Sequence, residues 1–387
     1  MDQHISYTNI MKKYTIVYTS CFMNHYQLAL ANELNKVFEK YYFIADTPLP
    51  KDRAKMGFFD LNDNEYVIKA YEDKEKARQM ILDADVVLCG YYKYEEHIRE
   101  RIKSGKLVIY SSERLFKTTN IVGTILRYIK YWTKYHRYYK DVNLLCISGF
   151  AAGDYNRIFG LFKDRSYKWG YFSETVKYDI NTLIKNKKPN SLIWVGRIIK
   201  WKHPEYAVEV ARRLKTEGYD FNLNIIGNGQ MENELKSLIN KYNLDENVHM
   251  LGSMNPNDVR KHMEDSKIYL FTSDRGEGWG VVLNEAMNSG CACVSSYEAG
   301  ATPFLIKDNI NGLVYYNNNI DELYKKTKYL LDNQEEMNVV EENAYKTILE
   351  SWGPDTAAKR LYEFVEEINK GKKSPFIYSE DILSKAN

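Results

Sequence analysis

Residues 268–287 read IYLFTSDRGEGWGVVLNEAM. The apolar run from Ile268 to Thr272 has the make-up of a buried strand, and the spacing predicts a helix from about Val281. Between them, Gly276, Gly278 and Gly280 let backbone approach a ligand, because no Cβ stands in the way. The helix start behind the glycines offers unpaired N–H groups and the positive end of a dipole, a ready place for an anion. Glu277 in the loop and Glu285 two turns into the helix bracket that place. An anion cradle flanked by carboxylates able to accept hydroxyl groups suits a sugar joined to a nucleotide diphosphate.

Working outward, the same alternation continues on both sides. Upstream, Leu192-Ile193-Trp194-Val195 is a strand, and Pro204 opens a helix whose Ala207, Val210, Ala211 and Leu214 form one stripe. Phe221 to Ile226 and Val248 to Leu251 are further strands, with a helix carrying Leu235, Leu238, Ile239 and Tyr242 between them. Downstream, Cys291 to Ser295 is another strand, and Leu323, Thr327, Leu330 and Leu331 mark a later helix. The first half repeats the pattern, with strands at Tyr14–Tyr18, Tyr42–Ile44, Asp85–Leu88, Leu107–Tyr110 and Leu144–Ile147. Near-continuous apolar strands separated by helices mean parallel sheets covered on both faces. The polar stretch from about 168 to 190 reads as an interdomain linker. The first strand-to-helix turn, Ser20 to His25, carries no G-x-G-x-x-G, so no dinucleotide cofactor is expected.

At 387 residues the chain is long for one domain, and two are expected. A net charge of +2 with 44% hydrophobic residues describes an ordinary globular protein and argues against nucleic acid as a bulk electrostatic partner. Cys21, Cys89, Cys146, Cys291 and Cys293 sit mostly in apolar runs and read as reduced core residues. Cys291-Ala292-Cys293 lacks the second ligand pair of a zinc site. No run reaches the length of a membrane span, and Ile16-Val17 is too short for a signal-peptide core. The expectation is a cytoplasmic protein.

In the second half five elements stand in a fixed order: Gly196-Arg197 with Lys202, Ile225 to Gly229, Leu251-Gly252, Glu277 with Glu285, and Asn311 to Val314. By these it resembles the nucleotide-sugar domain of the large retaining glycosyltransferase family marked by E-x7-E (glycosyltransferase family 4-like, glycosyl transferases group 1). The resemblance covers about residues 191–333. It implies an α/β protein with the GT-B fold, two Rossmann-like domains with a cleft between them. Residues 1–175 would bind acceptor, 191–350 the nucleotide sugar, and 351–387 would cross back toward the first domain.

The resemblance also assigns roles. Arg197 and Lys202 would neutralise the diphosphate, where extra negative charge collects as the sugar–phosphate bond breaks; solvated surface charge is the plainer alternative. Glu277 would contact sugar hydroxyls, Glu285 the ribose, and backbone at Gly278, Trp279, Gly280 and Val281 the phosphates, with Gly227 in the donor site. No metal or cofactor is expected, the nucleotide sugar (a UDP-sugar) being substrate. Asp274 would close the loop. Two departures stand out: Phe304 replaces a Glu common in the family, and His203 a common Gly.

In the first half, Glu113 at a strand end would meet acceptor or sugar, or else form a structural salt bridge. His25 is a further contact candidate, or a capping residue. From Arg114 to Lys140 there are seven Lys/Arg and no acid, interleaved with aromatics. That mixture suits an anionic membrane carrying a lipid-linked acceptor, or a helix with a solvated basic face and a buried Tyr-rich one. The sequence thus predicts a metal-independent, retaining hexosyltransferase moving sugar to a glycan or lipid-linked acceptor in bacterial surface polysaccharide or glycoconjugate synthesis, peripheral on the inner membrane face. A nucleotide-sugar epimerase, or a non-catalytic nucleotide-sugar-binding protein, stands as the alternative.

Overall fold

The computed structural model describes residues 13–51, 60–117, 121–158, 160–316 and 319–386. Part of the basic segment, residues 118–120, lies outside them, as do residues 1–12 of the first domain. Two parallel sheets organise the chain. The first holds β1 (Thr15–Ser20), β2 (Lys40–Ala45), β3 (Val67–Lys69), β4 (Val86–Cys89), β5 (Leu107–Ser112), β6 (Asn143–Cys146) and β7 (Ser166–Lys168), in the order β3-β2-β1-β4-β5-β6-β7. The second holds β8 (Ser191–Val195), β9 (Asn222–Ile226), β10 (Val248–Gly252), β11 (Ile268–Phe271), β12 (Ala292–Ser296) and β13 (Leu313–Tyr315), in the order β10-β9-β8-β11-β12-β13. β3 and β7, three residues each at the sheet edges, are too short to show a pattern in sequence.

The central strands form because their residues are apolar on both faces: all four side chains of β4 and of β11 are buried. Helices cover them with one stripe each. Pro204–Thr216 buries Ala207, Val208, Val210, Ala211 and Leu214, and truncating a buried leucine there would cost about 2–5 kcal/mol. In a sheet of this order, the chain reverses its direction of travel between β1 and β4, and between β8 and β11. Ligands bind outside the strand C-termini at such switch points. The two sets of C-terminal ends face each other: Gly149 N–H after β6 donates to the Gly300 carbonyl after β12 at 2.9 Å.

The helix Pro354–Asn369 joins the halves from behind. Its Tyr362 packs on Tyr14 and Phe38 of the first domain, at 5.7 and 5.3 Å between ring centroids, and Phe364 meets Tyr167 at 4.7 Å. Beyond it the chain pairs antiparallel with β7. Leu383 N–H donates to Lys168 O, Lys168 N–H to Ser384 O and Ala386 N–H to Ser166 O, at 2.9 to 3.0 Å. That pairing covers an edge which would otherwise present unpaired backbone groups.

Candidate active site

The loops after β8 and β9 meet through a glycine. Gly227 has φ +136°, and a Cβ there would lie 1.9 Å from the Gly196 carbonyl oxygen, so neither a side chain nor an ordinary backbone conformation fits. After Gly196 the chain makes a 3₁₀ turn, Lys200–Lys202. The Lys202 carbonyl accepts Thr272 Oγ1 at 2.6 Å, and Thr272 in turn accepts Trp194 Nε1 at 2.8 Å. Asp274 N–H donates to Trp201 O at 2.9 Å. The turn bearing Lys202 and the glycine loop are thereby fixed side by side.

At their junction Lys202 Nζ lies 2.5 Å from Glu277 Oε2, with only 11% and 12% of the two side chains exposed. Ser273 Oγ donates to the same oxygen at 3.0 Å, and the Lys202 ammonium lies 4.8 Å from the Trp201 ring centre. Arg197 is exposed, its guanidinium 5.6 Å from the centre of the same Trp201 ring; among the described residues it has no carboxylate partner. The pair is a cation and a carboxylate held ready, each able to exchange its partner for a diphosphate or a sugar hydroxyl.

The N–H groups of Gly278, Trp279, Gly280 and Val281 donate to no protein acceptor among the described residues. The following helix, Val282–Asn288, has seven residues, so the cradle rests on these loop amides more than on a long helix dipole. Gly280 has φ +96°, and a Cβ there would strike Phe271 Cζ at 2.3 Å. The Trp279 ring is not part of the open site. It is buried, donates to Asn284 Oδ1 at 2.9 Å, and stacks toward Trp352 at 5.9 Å and Phe304 at 6.3 Å. Phe304, where the family often has Glu, therefore supports the loop from beneath.

Glu285 is half-buried at the back of the loop, and among the described residues its carboxylate has no hydrogen-bond or ion-pair partner. Burial pushes its pKa up to about 7, Arg260 opposing weakly. A half-buried carboxylate of this kind is an acceptor that ribose hydroxyls would satisfy. Asp274 closes the loop by accepting Gly276 N–H at 2.7 Å.

The first domain supplies the other wall. Glu113 follows β5, and its two oxygens accept Lys117 Nζ at 2.7 Å and Tyr171 OH at 2.8 Å. It rests on the glycine loop: a Cβ on Gly278 would lie 2.0 Å from Glu113 Oε2. The salt bridge considered from sequence is present, made by the neighbouring Lys117. Arg114 instead stacks over Phe150 at 4.2 Å and donates to Glu298 O across the cleft at 3.1 Å. His25 is the first residue of the helix His25–Val37, which Asn24 caps, and its ring packs on Tyr26 at 3.8 Å. Burial lowers its pKa.

The basic segment splits by face. In the helix Ile121–Tyr135 the Tyr135 ring turns inward, its hydroxyl 2.6 Å from that of Tyr110. Lys134 pairs with Glu95, so Arg114, Lys117 and Lys134 are not free surface charge. The opposite face mixes apolar and basic side chains: Ile125 is 56% exposed, Leu126 64% and Ile129 55%, beside Trp132, and Lys130 and Arg137 are exposed too. Sequence reasoning missed Tyr171, Lys117 and Ser273. Tyr171 sits in an irregular connector with no periodicity to flag it, whereas Ser273 lies one position before Asp274 and was in view.

Residues 177–347 match the model of a family described as glycosyl transferases group 1. An uncharacterized glycosyltransferase of Haemophilus influenzae is 26% identical over 265 residues, 63% of this chain and 72% of that protein. A putative colanic acid biosynthesis glycosyltransferase, WcaL of Escherichia coli K12, is 33% identical over 131 residues, 33% of this chain and 32% of that protein. The chain thus spans about a third of WcaL's length. Among solved structures, HepE of Anabaena in complex with UDP and glucose superposes with a TM-score of 0.67 at 13% identity, over 92% of this chain and all of that one.

Proposed function

We propose that the protein, whose residues 177–347 match the glycosyl transferases group 1 model on a GT-B fold, transfers a sugar from a nucleotide-diphosphate donor, a UDP-sugar, with retention at the anomeric carbon. The observation that carries this is the joined set of a Lys202–Glu277 pair and, without partners among the described residues, four loop amides and Glu285, at one switch point. Donor diphosphate would draw Lys202 off Glu277 and take the amides and Arg197 as further ligands. Glu277, released, would accept the hydroxyls of the transferred sugar. As the anomeric C–O bond breaks, charge builds on the leaving diphosphate, where these preplaced groups are worth most. The acceptor hydroxyl would attack from the same face and pass its proton to the leaving phosphate, with Glu113 on the first-domain wall to orient it. Closure of the two domains limits hydrolysis.

The roles separate by calorimetry. Glu285→Gln weakens nucleoside diphosphate and intact donor alike, since both carry the ribose. Glu277→Gln leaves diphosphate affinity at or above wild type, Lys202 being already released, while weakening donor and lowering turnover. Each lost charge-assisted hydrogen bond is worth roughly 1.5–3 kcal/mol, tenfold or more in affinity. Parallel loss of both ligands in both variants would overturn the assignment.

The acceptor is a glycan or lipid-linked saccharide of a bacterial surface polymer, a reading that the WcaL likeness supports in kind. Peripheral binding to an anionic membrane is supported by the exposed Ile125, Leu126, Ile129 and Trp132 flanked by Lys130 and Arg137. No helix among the described residues is long and apolar enough to cross a membrane. Vesicles of anionic phospholipid should bind the protein with a part that high salt does not remove. Leu126→Glu with Ile129→Glu should abolish that part, and Lys130→Gln with Arg137→Gln only the salt-sensitive part. Equal sedimentation of all three proteins would refute it.

A further inference from the structure

His203 is a residue that the donor site does not obviously need. It follows Lys202, has φ +47° and ψ +53°, and is the N-cap of the helix Pro204–Thr216 without a side-chain capping bond. A glycine or asparagine would fill that left-handed position at less strain. The ring is what distinguishes it. Nδ1 lies 2.8 Å from Glu205 Oε1 and Nε2 3.4 Å from Asp274 Oδ2, and the ring stacks on Tyr206 at 4.5 Å.

Two carboxylate oxygens facing the two ring nitrogens require a proton on each, so the ring is an imidazolium. Burial works against that charge, and hydrogen bonds to Asp274 and Glu205 outweigh it, raising the pKa to about 9. Asp274 in turn is held below the usual carboxylate range, burial being outweighed by His203 and the Gly276 amide. The charged groups around the ring are Glu205 from the helix, Asp274 and its neighbour Arg275 from the glycine loop, and Lys202 from its own turn. Asp274 links the imidazolium to Gly276 N–H and, through its own N–H, to Trp201 O. His203 thus sits where the turn carrying Lys202 and the loop carrying Glu277 are fastened together.

Resting on the donor-site reading above, we propose that His203 is a positioning residue for the nucleotide-diphosphate cradle: its imidazolium, acting through Asp274, clamps the Lys202 turn to the glycine loop without touching donor. The test is UDP binding by calorimetry across pH, with thermal melts alongside. His203→Gly relieves the left-handed strain, so a capping role alone predicts an equal or higher Tm and wild-type affinity. The clamp predicts UDP bound about tenfold more weakly at pH 7.5, the scale of one charge-assisted hydrogen bond. It also predicts that wild-type affinity falls as pH passes about 9, and that this limb is missing in the variant. Asp274→Asn should weaken UDP similarly, and the double variant should be no worse than either single one. His203→Gly binding UDP as wild type, or fully additive losses, overturns the clamp alone. Wild-type protein that binds no nucleoside diphosphate overturns the donor reading and the clamp together.

Discussion

Lys202→Met should destabilise the empty protein before any donor is added. The lysine and Glu277 are nearly sealed from solvent and 2.5 Å apart, so deleting the ammonium strands a carboxylate with one hydroxyl, that of Ser273. Breaking a buried pair from one side costs about 3–5 kcal/mol, because the surviving charge is uncompensated. The retained Ser273 bond puts this site toward the lower figure, about 3 kcal/mol. For a domain of this size 1 kcal/mol moves Tm by roughly 2–4 °C, so the second-domain transition should fall by on the order of 6–12 °C. Glu277→Gln should cost less, since the freed ammonium still has the Trp201 ring. The double variant Lys202→Met with Glu277→Gln removes both charges and should recover most of the loss. Calorimetric melts of the four proteins without ligand measure the coupling. If the double variant loses the sum of the singles to within about 0.5 kcal/mol, the pair is not coupled and the reasoning fails.

The His203 imidazolium contributes to stability in a definite direction. Its pKa is raised from 6.5 to about 9, so its contribution is complete below pH 6.5 and is lost as pH rises through 9; His203→Gly should narrow its Tm gap to wild type over that window. Glu285 has the opposite sign. Its pKa is raised from 4.5 to about 7, so ionisation in the fold is penalised as pH rises through that interval. Glu285→Gln should therefore raise Tm at pH 8 by roughly 2–4 °C, about 1 kcal/mol, and change little at pH 4, while losing UDP affinity. Turnover should be unaffected by EDTA, because Lys202, Arg197 and the loop amides supply the positive charge; a strict Mg²⁺ or Mn²⁺ requirement in an activity assay would refute that.

Much of this arrangement is legible in the chain. Ile268 to Thr272 and the three glycines after it place strand, loop and helix to within a residue or two, since apolar continuity and missing side chains act locally. Gly227 is legible as a motif member, but the reason it must be glycine, the Gly196 carbonyl 1.9 Å from where a Cβ would sit, exists only once two strands lie side by side. The Lys202–Glu277 pair joins positions 75 apart, and the Tyr171–Glu113 bond spans 58; no local pattern encodes either. The basic segment was half legible: Tyr135 and Tyr139 are buried, as the reading with a Tyr-rich inner face has them, with the Tyr135 hydroxyl on that of Tyr110, whereas the exposed Ile125, Leu126 and Ile129 run against the usual sorting of a helix by polarity.

The pairing of residues 383–386 with β7 bears on how the molecule is made. Lys385 reaches the Tyr167 hydroxyl across 218 positions of chain, so the outer edge of the first sheet is completed by residues that leave the ribosome long after that sheet has emerged. Domains tend to fold in order of synthesis, and contacts distant in sequence form late and slowly. During translation the first domain would therefore wait with an open edge while the whole second domain is built and folded. Completion of the first half of the molecule would thus come after the second has folded.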